Sequence, residues 1–191
     1  MIDSNFCFFT GVVSGVNETI KTDVIKPVIK LDLYTRETKE WNSSIRVVFV
    51  ENEDARKVKG ILPGDIIFVF GKLAYSEDFG YYMYADSFVT LQKNKANLSQ
   101  FSCRVSYFEY YSYTNIIQLS GKICNISDNK MSMVVDRSRN VRGEIMEHDL
   151  IPLEIEINES EFKNGDSIRF LGSIKNNVAI GTAVKTISES W

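Results

Sequence analysis

Histidine occurs once in this chain, at His148, and cysteine three times, at Cys7, Cys103 and Cys124, with no CxxC spacing. So few ligands cannot assemble a Cys/His zinc site. An odd, widely separated set of thiols in apolar surroundings fits a reducing compartment better than a disulfide framework. No metal or other cofactor is expected. No apolar run nears the roughly 20 residues of a membrane span. The opening Met1-Ile2-Asp3-Ser4-Asn5 lacks the basic-then-apolar pattern of a secretory leader. The expectation is therefore a cytoplasmic protein with no membrane partner. A Walker-type glycine loop and a GxSxG elbow are also missing. His148 has no nucleophile near it in sequence and reads as a loop residue. Glu154 and Glu156 read as a solvent-facing stripe opposite Leu153, Ile155 and Ile157. Catalysis is not expected. A net charge of -3 also lacks the bulk basicity by which some proteins coat nucleic acid. Binding of that kind would have to come from local patches and from stacking.

What is present is an ordinary globular composition, 44% hydrophobic and 25% charged, in 191 residues. That length accommodates one large or two small domains. Apolar and polar residues alternate with period two, and β-branched and aromatic residues crowd the same segments, so strands dominate. The first half predicts strands over Phe8–Val16, Val24–Thr35, Ser44–Val50, Ile66–Tyr75 and Tyr81–Leu91, with a short helix over Asp54–Lys59. After a polar stretch, Gln92–Gln100, the pattern restarts with Ile116–Ile126, Met131–Asp136, Leu150–Ile157, Ser167–Lys175 and Val178–Ile187. The two halves echo one another. Gly64-Asp65, an apolar run and Gly71-Lys72-Leu73 recur as Gly165-Asp166, an apolar run and Gly172-Ser173-Ile174. Thr10-Gly11-Val12-Val13 recurs as Ser120-Gly121-Lys122-Ile123. Such a duplication implies two copies of one unit. The expected division is a first domain over 1–98, an aromatic-rich connector over 99–114 and a second domain over 115–191. Five strands with a helix between the third and fourth is the OB arrangement, a small Greek-key barrel. Glycines inside strands, Gly11, Gly71, Gly121 and Gly172, suit the corners such a barrel must turn. The fold class is thus all-β, two tandem five-stranded OB barrels.

The first half also resembles the bacterial and phage single-stranded DNA-binding proteins. The resemblance rests on Phe9-Thr10-Gly11-Val12-Val13, Glu40-Trp41, Ile45-Arg46-Val47-Val48-Phe49, Asp54-Ala55-Arg56-Lys57-Val58, Pro63-Gly64-Asp65 and Phe70-Gly71-Lys72-Leu73, in that order. The second half is similar to the two-barrel variants of low-GC Gram-positive bacteria and mobile elements. There the matching stretches are Gly121-Lys122-Ile123, Asp149-Leu150-Ile151-Pro152 and Gly165-Asp166-Ser167-Ile168. The resemblance implies sequence-independent binding of single-stranded DNA in replication and recombination, with Trp41 stacking on a base. The family's flexible acidic tail has no counterpart in Thr186-Ile187-Ser188-Glu189-Ser190-Trp191, so tail-mediated recruitment is not expected. Single-barrel members form tetramers, and a two-barrel subunit would reach the same barrel number as a homodimer.

Stacking and phosphate contact need aromatic faces and cations. On the second strand Ile29, Leu31 and Leu33 share an inward face, leaving Lys30, Tyr34 and Arg36 outward. The hairpin beyond adds Lys39 and Trp41, and Arg46 alternates with Ile45 and Val47. The loop between the fourth and fifth strands carries Tyr75, Phe79, Tyr81 and Tyr82, which either meet DNA or cover the barrel end or an interface. Tyr107, Phe108, Tyr110, Tyr111 and Tyr113 form either a stacking platform or an added strand packed on a barrel. Arg137, Arg139 and Arg142, in the loop between the second barrel's second and third strands, form either a phosphate clamp or a solvated loop. The candidate DNA-binding set is Lys30, Tyr34, Arg36, Lys39, Trp41, Arg46, Tyr75, Phe79, Tyr82, Arg137, Arg139 and Arg142. An outward row at Ile66, Phe68 and Phe70 offers a surface for a second copy or for a replication protein. A protein-interaction module and an RNA-binding barrel stand as the competing readings.

Overall fold

The computed structural model describes residues 4–20, 26–35, 40–49, 58–93, 114–127, 130–139, 145–156 and 162–186. Alternating residues build ten strands: β1 (Asn5–Ile20), β2 (Lys26–Thr35), β3 (Glu40–Phe49), β4 (Ile66–Ser76), β5 (Gly80–Gln92), β6 (Asn115–Ser127), β7 (Lys130–Arg139), β8 (Ile145–Ile155), β9 (Ser167–Lys175) and β10 (Val178–Lys185). They pair in the order β2-β3-β5-β4-β1-β6-β7-β8-β10-β9, with β1–β2 and β6–β9 as further pairings. Each half therefore closes on itself. In the first, β1 meets both β2 and β4 antiparallel, and β3 meets β5 in parallel. The second repeats this with β6 between β7 and β9 and with β8 parallel to β10. These are two OB barrels in tandem, as the strand pattern predicts. The helix expected over Asp54–Lys59 lies almost entirely outside the described residues, and of the connector over 99–114 only Thr114 lies within them.

Period-two alternation is realised in the cores. Ile29, Leu31, Leu33, Ile45 and Val47 fill the first barrel and Met133, Val135, Ile151, Ile168 and Phe170 the second. The duplication extends to individual hydrogen bonds. The Asn5 side chain spans the backbone of Leu73, its Nδ2 donating to the carbonyl at 2.8 Å and its Oδ1 accepting from the amide at 2.9 Å. Asn115 does the same to Ile174 at 2.8 and 2.9 Å. Ahead of β4, the Asp65 amide donates to Leu62 O at 3.0 Å across Pro63-Gly64, with Gly64 at φ 85°. Proline followed by a positive-φ glycine is what a type II turn requires. Lys163-Asn164-Gly165-Asp166 repeats the turn ahead of β9, with the same 3.0 Å bond and Gly165 at φ 89°. Each aspartate carboxylate also accepts an amide, Leu62 N at 3.0 Å and Lys163 N at 2.7 Å. A lysine from the last strand's end closes each turn, Lys93 to Asp65 at 2.7 Å and Lys185 to Asp166 at 2.9 Å. The bond from Lys185 holds the Asp166 carboxyl below the usual aspartate range.

The barrels are joined edge to edge by β1 and β6, which run antiparallel with Asn5 opposite Leu119, Cys7 opposite Ile117 and Phe9 opposite Asn115. Thr10 N donates to Thr114 O at 2.6 Å and Ser120 N to Ser4 O at 2.7 Å at the two ends of this ladder. Exchanging the barrels maps the ladder onto itself, so a local two-fold axis passes beside Cys7 and Ile117. One sheet, β5-β4-β1-β6-β9-β10, thus runs across both barrels.

Three expectations require correction. Ile66 is buried and not outward with Phe68 and Phe70, because a register shift between Ile66 and Ile67 in the β4–β5 pairing breaks the alternation and turns both inward. Arg137 and Arg139 belong to strand β7 and not to a loop, since pairing with β8 continues to Arg139 opposite Ile145. His148 likewise lies in β8, exposed and opposite Asp136, because that strand begins at Ile145.

Candidate nucleic-acid interface

Outward residues of β2, β3 and β5 lie side by side on the first barrel. Lys30 pairs with Arg46 across β2 and β3, Arg46 lies beside Tyr82 in the parallel β3–β5 ladder, and Val48 lies beside Tyr84. The hairpin joining β4 to β5 folds back over this surface. Ser76 Oγ accepts the Phe79 amide at 3.2 Å and shapes the turn. Phe79, Tyr82 and Tyr84 then cover Val28 and Val48, the two apolar outward residues of the strands beneath. Arg46 is held by Phe79, its Nη1 donating to Phe79 O at 3.2 Å and its Cζ lying 5.7 Å from the Phe79 ring centre. A cation over an aromatic face is attractive, and the geometry orients the guanidinium along the surface. The Tyr82 and Tyr84 rings meet edge to face at 5.3 Å with hydroxyls 3.5 Å apart. The result is a strip of cation, ring and hydroxyl on the outer strands of a barrel. At its far end Asp32 is engaged by Ser14 Oγ at 2.8 Å.

Of the residues expected here, the fold brings together Lys30, Arg46, Phe79 and Tyr82. Tyr84 was not in the expected set, although its spacing of two from Tyr82 is the signal that places both on one strand face. Tyr75 goes elsewhere. It pairs with Tyr81 across the hairpin, rings 5.1 Å apart, on the side that faces the second barrel. Tyr34 and Trp41 have their backbones in β2 and β3, with side chains outside the described residues, as are those of Arg137 and Arg139 in β7. Arg36, Lys39 and Arg142 lie outside the described residues altogether, as does the cluster from Tyr107 to Tyr113.

Tyr81 reaches across, its hydroxyl donating to Pro152 O on β8 at 2.6 Å, and burial pushes its phenol up to about 12. The second barrel answers through Asn177 in the β9–β10 turn, whose Oδ1 accepts the Ser44 amide at 2.8 Å. Each barrel's last hairpin therefore touches the third strand of the other. Among the described residues no group of three or more His, Cys, Asp or Glu could hold a metal ion.

No protein-family model matches the sequence, and a search of curated proteins returns no match. Solved structures do match in shape. The single-stranded DNA-binding protein of Thermus aquaticus superimposes with a TM-score of 0.61 at 15% identity, covering 100% of this chain and 97% of that one. A deletion variant of the same protein gives 0.57 at 15% identity, covering 98% and 96%. At such identity the likeness establishes the two-barrel fold.

Proposed function

We propose that this chain binds single-stranded DNA without sequence preference and without chemistry, protecting strands exposed in replication and recombination. The observation that carries the reading is the strip on the first barrel. Arg46 lies across Phe79 beside Tyr82 and Tyr84, on the strands where OB barrels bind oligonucleotides. Rings offer stacking surfaces worth about 1–3 kcal/mol per base, and the cations meet phosphates. The fold shared with a single-stranded DNA-binding protein supports the same reading. Lys30, Arg46, Phe79, Tyr82 and Tyr84 form the centre of this interface. Tyr34, Arg36, Lys39 and Trp41 extend it along the β2–β3 hairpin, and Arg137, Arg139 and Arg142 add phosphate contacts at the corresponding hairpin of the second domain, 115–191.

The partner in assembly is a second copy. Phe6, Phe8, Phe68 and Phe70 stack in a row on the outer face of the sheet that crosses both barrels, with centroids 5.2–6.4 Å apart. Ile116 and Leu171 continue it, 42% and 56% exposed. A patch of this kind marks a protein interface. Two copies meeting through it would form a four-barrel homodimer.

Titration with fluorescent oligo-dT, oligo-U and duplex DNA at two salt concentrations tests the function. Tight binding of oligo-dT, weakened by salt and well above that of duplex, is the expected result. Failure to bind oligo-dT at low salt would overturn the reading and favour a protein-interaction module.

A further inference from the structure

The β4–β5 hairpin has two faces, and only one of them serves the strip described above. Tyr82, Tyr84 and Phe79 cover the first barrel's β2–β3 surface. Tyr75 and Tyr81 face the second barrel, where they wall a cleft of about 480 Å³. Its floor is the outer side of β7 and β8, contributed by Lys130, Ser132, Pro152 and Glu154, and its rim includes Asn125 and Asn177. β7 and β8 are the second barrel's second and third strands, the position at which OB barrels take up oligonucleotides. Among the described residues, the outward side chains of β7 and β8 include no Phe, Tyr or Trp. The aromatic surface that the described residues of β7 and β8 lack is supplied at the cleft by Tyr75 and Tyr81 of the first barrel. Lys130 is exposed at the cleft, opposite Glu154 in the β7–β8 ladder.

We propose that this cleft is a second nucleotide site, completed by both barrels, in which a base of the bound strand stacks on Tyr75 and the adjoining phosphate meets Lys130. The assignment rests on the single-stranded DNA reading and adds a path to it. A strand leaving Tyr82 and Tyr84 crosses the hairpin and enters the cleft, so one hairpin contacts successive nucleotides with opposite faces. Tyr81 is a positioning residue, its hydroxyl bond to Pro152 O holding the hairpin against the second barrel. The Asn125 amide, the Asn177 Nδ2 and the Glu154 carboxylate, which stands opposite Lys130 in the β7–β8 ladder, offer donors and acceptors to base edges.

The test is photo-crosslinking of the full chain to oligo-dT carrying single 5-iodo-deoxyuridines, mapped by mass spectrometry, with affinities measured for a length series of oligo-dT. Crosslinks at Tyr75 are expected from one set of label positions and at Tyr82 or Tyr84 from another. Tyr75→Ala is expected to lower affinity for long oligonucleotides about tenfold, with Tyr75→Phe close to the parent. Lys130→Gln, an exposed change that spares the fold, is expected to reduce the slope of log K against log salt by about 0.7 for long oligonucleotides only. Normal binding with crosslinks confined to the first strip, and an unchanged salt slope in Lys130→Gln, would overturn the cleft and leave the function standing. No binding of the parent protein at any length would overturn both.

Discussion

Asn5 and Asn115 show how much of this fold hangs on single side chains. Each uses both halves of its amide to bridge the backbone of the opposite strand. Asn5 is buried at 4% exposure, so truncation strands an amide and a carbonyl of Leu73 where water does not reach. With each of the two unsatisfied backbone groups costing about 1–3 kcal/mol, Asn5→Ala is expected to destabilise by roughly 2–6 kcal/mol. Asn115→Ala, at a half-buried site, should cost less. Chemical denaturation of the two variants checks the order; equal losses would contradict it. The same scale shows what could be read early. The inward set Ile29, Leu31 and Leu33 was legible because a strand's alternation is local. Ile66 was not, because a single register shift against β5 overrides alternation and no residue type announces it.

At the scale of the element, the β4–β5 hairpin depends on Gly71, where β4 shifts register against β5 and the chains approach closely. A Cβ at this position would overlap the carbonyl oxygen of Tyr84. Gly71→Val must push β5 outward, with an expected cost of about 1–3 kcal/mol from overpacking. Because Tyr84 moves with that carbonyl, affinity for oligo-dT should fall as well, even in the fraction that stays folded. Denaturant midpoints and oligonucleotide titration measured together check this; a destabilised variant with parental affinity would separate the strip from the hairpin's geometry. The hairpin's aromatics were visible in sequence as a cluster, and alternation along β5 separates Tyr81 from Tyr82 and Tyr84, but what each face meets was not legible. Tyr75 and Tyr81, paired across the hairpin, meet the second barrel while Tyr82 and Tyr84 lie over the first, because the hairpin packs between the two barrels.

Over the whole molecule, the β1–β6 ladder makes the chain an internal dimer of barrels with one sheet crossing the local two-fold axis. The outer face of that sheet carries Phe6 at 39% exposure beside Phe70, Ile116 and Leu171. Sedimentation equilibrium should give twice the chain mass, and Phe6→Asp, which places a charge in the stacked row, should give a single chain with its fold retained. A parent protein of one chain mass would remove the homodimer from the proposal.

Composition and periodicity determined, without any structure, that the chain is all-β, that it is built twice from one unit and that its turns stand at Gly64-Asp65 and Gly165-Asp166. These follow from local rules, since alternation sets which side chains are buried and a positive φ favours glycine. Only the tertiary structure decided that the barrels share a sheet through β1 and β6. It also decided that the face carrying Tyr82 and Tyr84 lies over β2 and β3, and that Tyr75 and Lys130 line one cleft. Contacts between residues so distant in sequence depend on how two closed barrels pack, and no spacing within one strand encodes that.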